Sequence, residues 1–285
     1  MQKLIALHDH RPVSDLLSFI ESNQPLAVLT GAGCSTDSGI PDYRDRTGQW
    51  KHRQPVLYTD FIRRTDIRQR YWSRSMLGWP RIAQASPNAT HTALAALEHA
   101  GLILYLVTQN VDGLHQKAGS QSLLELHGGI AWVICLECRY RIPRSEVQDI
   151  LLQENPSLNL MVDIFTPDGD AQIENQDLSS FRVPACPMCQ GILKPDVVFF
   201  GEQVPRHRID RVISALDQAQ ALLVIGSSLM VYSGYRFCKY TRENGKSVAV
   251  LNLGRTRADN DLNLKVDLPC HVVLPEITSR LLYKH

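Results

Sequence analysis

The chain has no apolar run long enough to cross a bilayer. Its longest, residues 102–107 and 221–225, fall far short of the ~20 residues that a membrane helix needs. It also lacks an excess of either charge. With 30 basic against 29 acidic residues, its net charge is +1, so no whole-chain field draws it to nucleic acid or anionic lipid. The opening residues carry one Lys, then His, Asp and Arg, which is neither a secretory signal nor an Arg/Ser-rich transit peptide. Internal repeats and low-complexity tracts are absent as well. A cytoplasmic protein with neither nucleic-acid nor membrane partners is expected. Its 285 residues allow one large domain or two modest ones with a sizeable core.

An even cysteine count is missing too. There are seven, and four form two Cys-x-x-Cys pairs, Cys135/Cys138 and Cys186/Cys189. The remaining Cys34, Cys238 and Cys270 have no obvious partners. In a reducing compartment this pattern favours a metal over disulfides. Thiolates two residues apart on a tight turn converge on one ion, and two such turns complete a tetrahedral set. Four sulfur ligands leave no open coordination position, so one structural Zn2+ per chain is expected. A polar insert, from about 156 to 180, accounts for the long interval between the pairs.

Outside that region, helical and strand patterns alternate. Val13, Leu16, Leu17 and Ile20 recur at helical spacing after Pro12, and residues 26–29 form a short apolar run. Residues 92–100 read as helix stopped by Gly101, and 102–107 as strand. Residues 208–219, 221–225, 232–243 and 247–251 continue the alternation. The fold class is therefore α/β: a Rossmann-like parallel sheet with helices on both faces, carrying an inserted smaller zinc-binding and helical domain. The boundaries expected are 1–50, 82–129 and 196–285 for the sheet domain. A helical insertion over 51–81 and a zinc module over 130–195 together make the small domain.

Several strand ends carry residues suited to a ligand. After the first strand, Gly31 permits a tight turn and Gly33 a close backbone approach to a pyrophosphate. The third place of G-x-G-x-x-G is Thr36, and no acidic ribose reader follows some twenty residues on, which argues against hydride transfer. Gly226-Ser227-Ser228 and Asn252-Leu253-Gly254 lie at two further strand ends, suggesting one crevice along the sheet's carboxyl edge. Gln109, Asn110 and Asp112 follow another strand. His127 stands at a strand end before Gly128-Gly129, a position suited to a general base.

Taken together and in order, residues 31–44, 108–112 and 126–128, the cysteine pairs, residues 194–202 and 226–228 resemble the sirtuins, NAD-dependent protein lysine deacylases. Residues 41–44, 68–74 and 231–237 point further, to the class II branch that includes the mitochondrial sirtuin 4; without a transit peptide, a bacterial member is expected. The resemblance implies that Gly31, Ala32, Gly33 and Thr36 hold the NAD pyrophosphate. It puts Asp42, Tyr43 and Arg44 on a loop over the nicotinamide end. Gln109, Asn110 and Asp112 would line the nicotinamide pocket and its ribose, with Asn110 counted as catalytic beside the base His127. Gly226, Ser227, Ser228, Asn252, Gly254 and Cys270 would hold the adenosine half.

An acyl-lysine protein substrate is the implied partner. Residues 197–201, including Val198, Phe199, Phe200 and Gly201, read as an extended strip able to pair with its backbone. Tyr71 and Arg74, spaced Tyr-x-x-Arg, resemble a pair that reads acidic acyl groups in another sirtuin branch. Two other functions stay open: NAD-dependent mono-ADP-ribosyl transfer to protein, and a zinc-stabilised NAD-binding module without turnover. Cys34 replaces a common aliphatic residue and reads as either a buried small hydrophobe or a redox-sensitive thiol.

Overall fold

The computed structural model describes residues 11–51, 55–156 and 177–283. Most of the polar insert therefore lies outside the described residues. Six parallel strands form the larger sheet: β1 (Leu26–Thr30), β2 (Ile103–Thr108), β3 (Leu123–Glu125), β7 (Ala221–Ile225), β8 (Ser247–Leu251) and β9 (Leu264–Val266). Every residue of β1 and β7 is buried, as expected for parallel strands covered on both faces. On one face lie α1 (Arg11–Asn23), α4 (Ala89–His99) and α9 (Cys270–Leu282), packed through Leu16, Leu94, Val273 and their neighbours. On the other lie α7 (Arg206–Gln218) and α8 (Tyr232–Glu243), through Val212, Leu216 and Phe237.

The strand order is β3-β2-β1-β7-β8-β9. From β1 the chain builds outward to β2 and β3, then returns to add β7 and its successors on the opposite side. This reversal opens a crevice at the carboxyl ends of β1 and β7, where a ligand can sit against backbone from both loops.

Local chemistry explains most element limits. The helix read from residue 92 begins earlier, at Ala89, because the Asn88 side chain accepts the Thr90 amide at 2.9 Å while His91 Nδ1 accepts the Asn88 amide at 3.3 Å. Gly101 ends it with φ +77°. The apolar strand patterns at 221–225 and 247–251 match β7 and β8 residue for residue.

A second, antiparallel sheet has the order β5-β4-β6, from β4 (Gly128–Cys135), β5 (Arg141–Pro143) and β6 (Leu193–Val197). Helices α2 (Tyr58–Arg63), α3 (Thr65–Gln84) and α6 (Arg144–Glu154) share an aromatic-rich core with it, including Phe61, Trp72, Val133, Val147 and Phe199. Arg144 is fully buried there, donating to Gln148 Oε1 at 2.9 Å and to the Ser75 carbonyl at 3.2 Å. Its guanidinium lies 4.9 Å from the Trp79 ring, and burial lowers its pKa to about 10, so it stays charged at neutral pH. The short α5 (Leu114–Lys117) joins β2 to β3.

The strip at 197–201 is not one continuous strand: β6 ends at Val197. Beyond it the chain turns, with the Glu202 amide donating to the Phe199 carbonyl at 3.0 Å and Gly201 at φ +80°. Phe200 makes a single parallel bridge to Leu57.

Candidate active site

Where the carboxyl edge of the parallel sheet meets the antiparallel sheet there is a cavity of about 560 Å³. The loops after β1, β2, β7 and β8 all reach it. Of the residues singled out from sequence, Gly31, Ala32, Gly33, Asp42, Tyr43, Arg44, Gln109, Asn110, Asp112, His127, Gly226, Ser227, Ser228 and Asn252 line it. So do Tyr71, Val198, Phe199, Phe200 and Gly201.

The β1 and β7 loops touch directly. The Gly33 amide donates to the Gly226 carbonyl at 2.8 Å, and a Cβ on Gly33 would lie 2.9 Å from that oxygen. Gly226 has φ +60°, and a Cβ there would fall 2.5 Å from the Cys34 amide nitrogen. Two glycines meeting backbone to backbone let the loops close on each other. The glycine run therefore has a packing cause in addition to any ligand.

A polar chain fixes the floor. Ser35 Oγ donates to Asp112 Oδ2 at 2.7 Å and accepts from Asn110 Nδ2 at 3.1 Å, while Asn110 Nδ2 also reaches the Gly31 carbonyl at 3.1 Å. Asp112 Oδ1 accepts the Leu114 amide at 2.9 Å, at the start of α5. Gln109 Nε2 donates to Ser227 Oγ at 2.8 Å, tying the β2 loop to the β7 loop. Three loops from distant parts of the chain thus hold one another's side chains still.

His127 stands where the chain passes from one sheet to the other. Leu126 N donates to the Thr108 carbonyl at 2.8 Å on the parallel side, and Val198 N donates to the His127 carbonyl at 2.7 Å on the antiparallel side. The following glycine is not a flexible hinge: Gly128 has φ +81°, and a Cβ there would lie 2.1 Å from the Asp196 carbonyl oxygen. The imidazole Nδ1 is 3.0 Å from the Gln109 carbonyl oxygen and must donate to it, since a carbonyl only accepts. That leaves Nε2 as the basic nitrogen, 2.8 Å from Ser233 Oγ, which donates to it. Removal from water pushes the imidazole pKa down to about 4, opposed by the Gln109 bond and aided by the Arg208 charge. At neutral pH the ring is uncharged, with its lone pair offered to a hydroxyl.

One wall is aromatic. Tyr43, Trp50 and Phe200 pack edge to face at 5.6–6.2 Å between centroids. The Arg44 guanidinium lies 4.0 Å from the Trp50 ring and donates to the Gly48 carbonyl at 2.8 Å, and burial lowers its pKa. Asp42 pairs with Lys51. Tyr71 and Phe199 pack together at 5.2 Å, and Glu202 bridges the Lys194 ammonium at 3.0 Å and the Phe199 amide at 2.8 Å.

Four of the residues singled out do not line the cavity. Thr36 is exposed and donates to the Gly33 carbonyl at 3.2 Å. Gly254 donates to Asp267 Oδ1 at 2.8 Å, and Cys270 opens α9 with its thiol 3.5 Å from the Gly33 carbonyl. Arg74 sits one helical turn beyond Tyr71 and is also absent from the lining. Cys34 is buried, its thiol donating to the Ile225 carbonyl at 3.2 Å; burial raises its pKa well above the ordinary value, as for an inert core thiol. Sequence reasoning missed Ser35, Ser233, Trp50 and Arg236. Ser35 had a signal in its place inside the glycine run, and Ser233 and Arg236 in the stretch 231–237, which was read only as a mark of the branch.

Away from the cavity, the four paired cysteines gather. Cys135 and Cys189 Sγ are 3.5 Å apart, Cys138 and Cys186 Sγ 3.6 Å, and all four lie within 4.8 Å of one another. Tetrahedral zinc with bonds of ~2.3 Å separates sulfurs by roughly 3.8 Å, so the set fits that ion. Each pair sits on the same turn: Arg139 N donates to the Cys135 carbonyl and Gln190 N to the Cys186 carbonyl, and both Arg139 and Gln190 have positive φ. None of the four lines the cavity.

The Sir2 family model matches residues 31–233. The chain is a sirtuin. A protein of Xanthomonas axonopodis pv. citri (strain 306) named NAD-dependent protein deacetylase is 54% identical over 266 residues, covering 93% of this chain and 90% of that protein. One of the same name from Bordetella bronchiseptica is 53% identical, covering 93% and 96%. A solved structure described as Sir2 with a p53 peptide and NAD+ superposes with a TM-score of 0.76 at 28% identity, covering 95% of this sirtuin and 98% of that chain. Among the described residues, no helix is long and apolar enough to cross a membrane.

Proposed function

We propose that this sirtuin is an NAD-dependent protein lysine deacylase, moving the acyl group from a lysine side chain to ADP-ribose with release of nicotinamide. The observation that carries the reading is His127, a neutral imidazole with its basic nitrogen presented inside the cavity where the glycine turn, Asn110 and Asp112 converge. The relatives named above carry the name of the same chemistry.

The loops fit the dinucleotide. Among the described residues, the amides of Ser227 and Ser228 donate to no backbone carbonyl, leaving donors beside the Gly31–Gly33 backbone for a pyrophosphate. When bound, NAD supplies an electrophilic ribose carbon from which nicotinamide departs. Gln109, Asn110 and Asp112, locked by their bonds to Ser227, Gly31 and Ser35, orient the nicotinamide half. His127 accepts a proton at Nε2 from a substrate hydroxyl that takes the place of the Ser233 hydroxyl. Ile40, Ile130, Val197 and Leu229 keep competing water out. Phe199 and Tyr71 enclose the acyl-lysine stem. The strip beside it is braced by the chain itself, since Val198 N, the Phe199 amide and carbonyl, and the Phe200 carbonyl are already bonded. The zinc is structural.

Incubating acyl-lysine peptides with NAD and following acyl loss and O-acyl-ADP-ribose by mass spectrometry tests the reading. Acyl loss without NAD, or none with it, sinks it. Label from adenosine-labelled NAD retained on protein would instead favour ADP-ribosyl transfer.

A further inference from the structure

The charged side chains lining the cavity have partners within the chain, with one exception. Asp42 pairs with Lys51, Asp45 is satisfied by Thr47 and Gln49, Asp112 holds Ser35, Glu202 holds Lys194, and Arg44 reaches the Gly48 carbonyl. Arg236 also lines the cavity, yet no carboxylate or hydrogen-bond acceptor meets its guanidinium among the described residues, and its Nε is buried without a partner. Its recorded neighbour is the ring of Tyr232, 5.1 Å away. A half-buried cation with an orphaned nitrogen carries a desolvation cost that an arriving anion would offset.

The position of Arg236 says which anion. It lies one helical turn past Ser233, the residue on His127, so both are on the same face of α8. Tyr232 is 50% exposed and also lines the cavity, so its ring forms part of the mouth. A second guanidinium, Arg257, lies 5.6 Å from that ring and donates to the Met230 carbonyl at 3.2 Å, with no ion pair of its own among the described residues. Met230 lines both the main cavity and an adjoining one of about 490 Å³ that Arg255 and Arg257 also line. With a net charge of only +1 on the whole chain, this cationic rim is a local feature.

We propose that Arg236, with Arg257 beside it on Tyr232, is a specificity-determining element for a carboxylate on the acyl-lysine substrate. The carboxylate comes from an acidic residue next to the modified lysine or from the end of the acyl chain. Arg74 does not line the cavity, and among the described residues Arg236 is the lining cation with neither an ion pair nor a hydrogen bond, so such a group can meet it. The inference rests on the deacylase reading and adds its substrate class.

Three peptides of one backbone test it with NAD: acetyl-lysine flanked by Ala, acetyl-lysine flanked by Asp and Glu, and glutaryl-lysine flanked by Ala. One of the two acidic peptides is expected to show a KM about five- to tenfold below the neutral one, which identifies the source. The preference shrinks as salt rises towards ~0.5 M. In Arg236→Gln the KM ratio falls towards one; in Arg236→Glu it inverts, favouring a Lys-flanked peptide, whereas a purely structural role would shift every peptide alike. Equal KM for all three peptides, or a preference that survives Arg236→Glu, overturns the proposal. Failure of every peptide to lose its acyl group sinks the deacylase reading itself. Fluorescence-anisotropy binding of the same peptides then decides the rim: an acidic preference lost in Arg236→Glu supports it, and equal binding overturns it.

Discussion

The parallel sheet and the cysteine-bearing sheet solve one problem, bringing distant segments together, by different means. In the parallel sheet, a continuous ladder sets β1 beside β2 and β7, both faces are buried, and the loops then bond to one another through Gly33, Gly226, Gln109 and Ser227. Its site is a by-product of strand register. In the smaller sheet, two short turns separated by the polar insert meet through four sulfurs, two of which belong to the aromatic core. There the ligand-binding group is itself the cross-link. One region should therefore lose activity while keeping its fold, and the other should lose its fold with its ligand.

The largest expected effect tests that contrast on the metal side. Structural zinc contributes on the order of 10 kcal/mol to small metal-dependent folds. Chelation, or Cys186→Ala, should release about one zinc per chain and lower the melting temperature sharply, by metal analysis and calorimetry. A metal-free protein melting like the wild type would erase the distinction.

On the sheet side, His127→Ala should reduce acyl transfer by ~10²–10⁴-fold, the usual weight of a general base. Its melting temperature should stay near that of wild type, because removing a half-buried imidazole spares every strand. A loss of fold comparable to that of Cys186→Ala would show that the two regions are not separable in this way.

Gly33→Ala probes the loop contact. A methyl group 2.9 Å from the Gly226 carbonyl must push the loops apart, costing ~1–3 kcal/mol. The KM for NAD should rise more than the KM for peptide, as steady-state kinetics with each substrate varied would reveal. Equal changes in both would move the glycine turn away from the cofactor.

Near neutral pH the smallest effect is the response to pH, which grows only as the medium is acidified. His127 at about 4 and the buried His115 at about 3, with His91 also lowered, all have folded pKa values below their unfolded value of 6.5. The unfolded chain therefore binds more protons as pH falls from about 6.5, and stability declines there by up to ~1.4 kcal/mol per pH unit for each fully titrating histidine. Activity, by contrast, should show no acid limb between about pH 6 and 8, since His127 is already neutral across that range. A limb centred near 6.5 would mean that the ring is better solvated than its surroundings indicate.

Legibility in the sequence followed the range of the interactions. β7 and β8 were readable residue for residue because four or five apolar side chains in a row have few ways to be buried. The start of α4 was misplaced by three residues because a cap, rather than an apolar pattern, sets it. The strip at 197–201 read as extended, but Glu202 and Gly201 turn it after Val197. At the site, His127, Asn110 and the glycines were visible as strand-end residues. Ser233 and Arg236 fall inside the 231–237 stretch that marked the branch, but their roles were not visible: the bond of Ser233 to His127 spans 106 positions, and Arg236 meets no hydrogen-bond acceptor among the described residues.

By itself the sequence determined the alternating elements, the four-sulfur clip and the residue types at each strand end, because propensity, burial and thiolate chemistry act over a few neighbours. Only the tertiary structure decided which nitrogen of His127 is basic, why Gly33 and Gly226 must be small, and which cation in the cavity meets no hydrogen-bond acceptor among the described residues. Each of those depends on a contact between loops that only the strand order brings together.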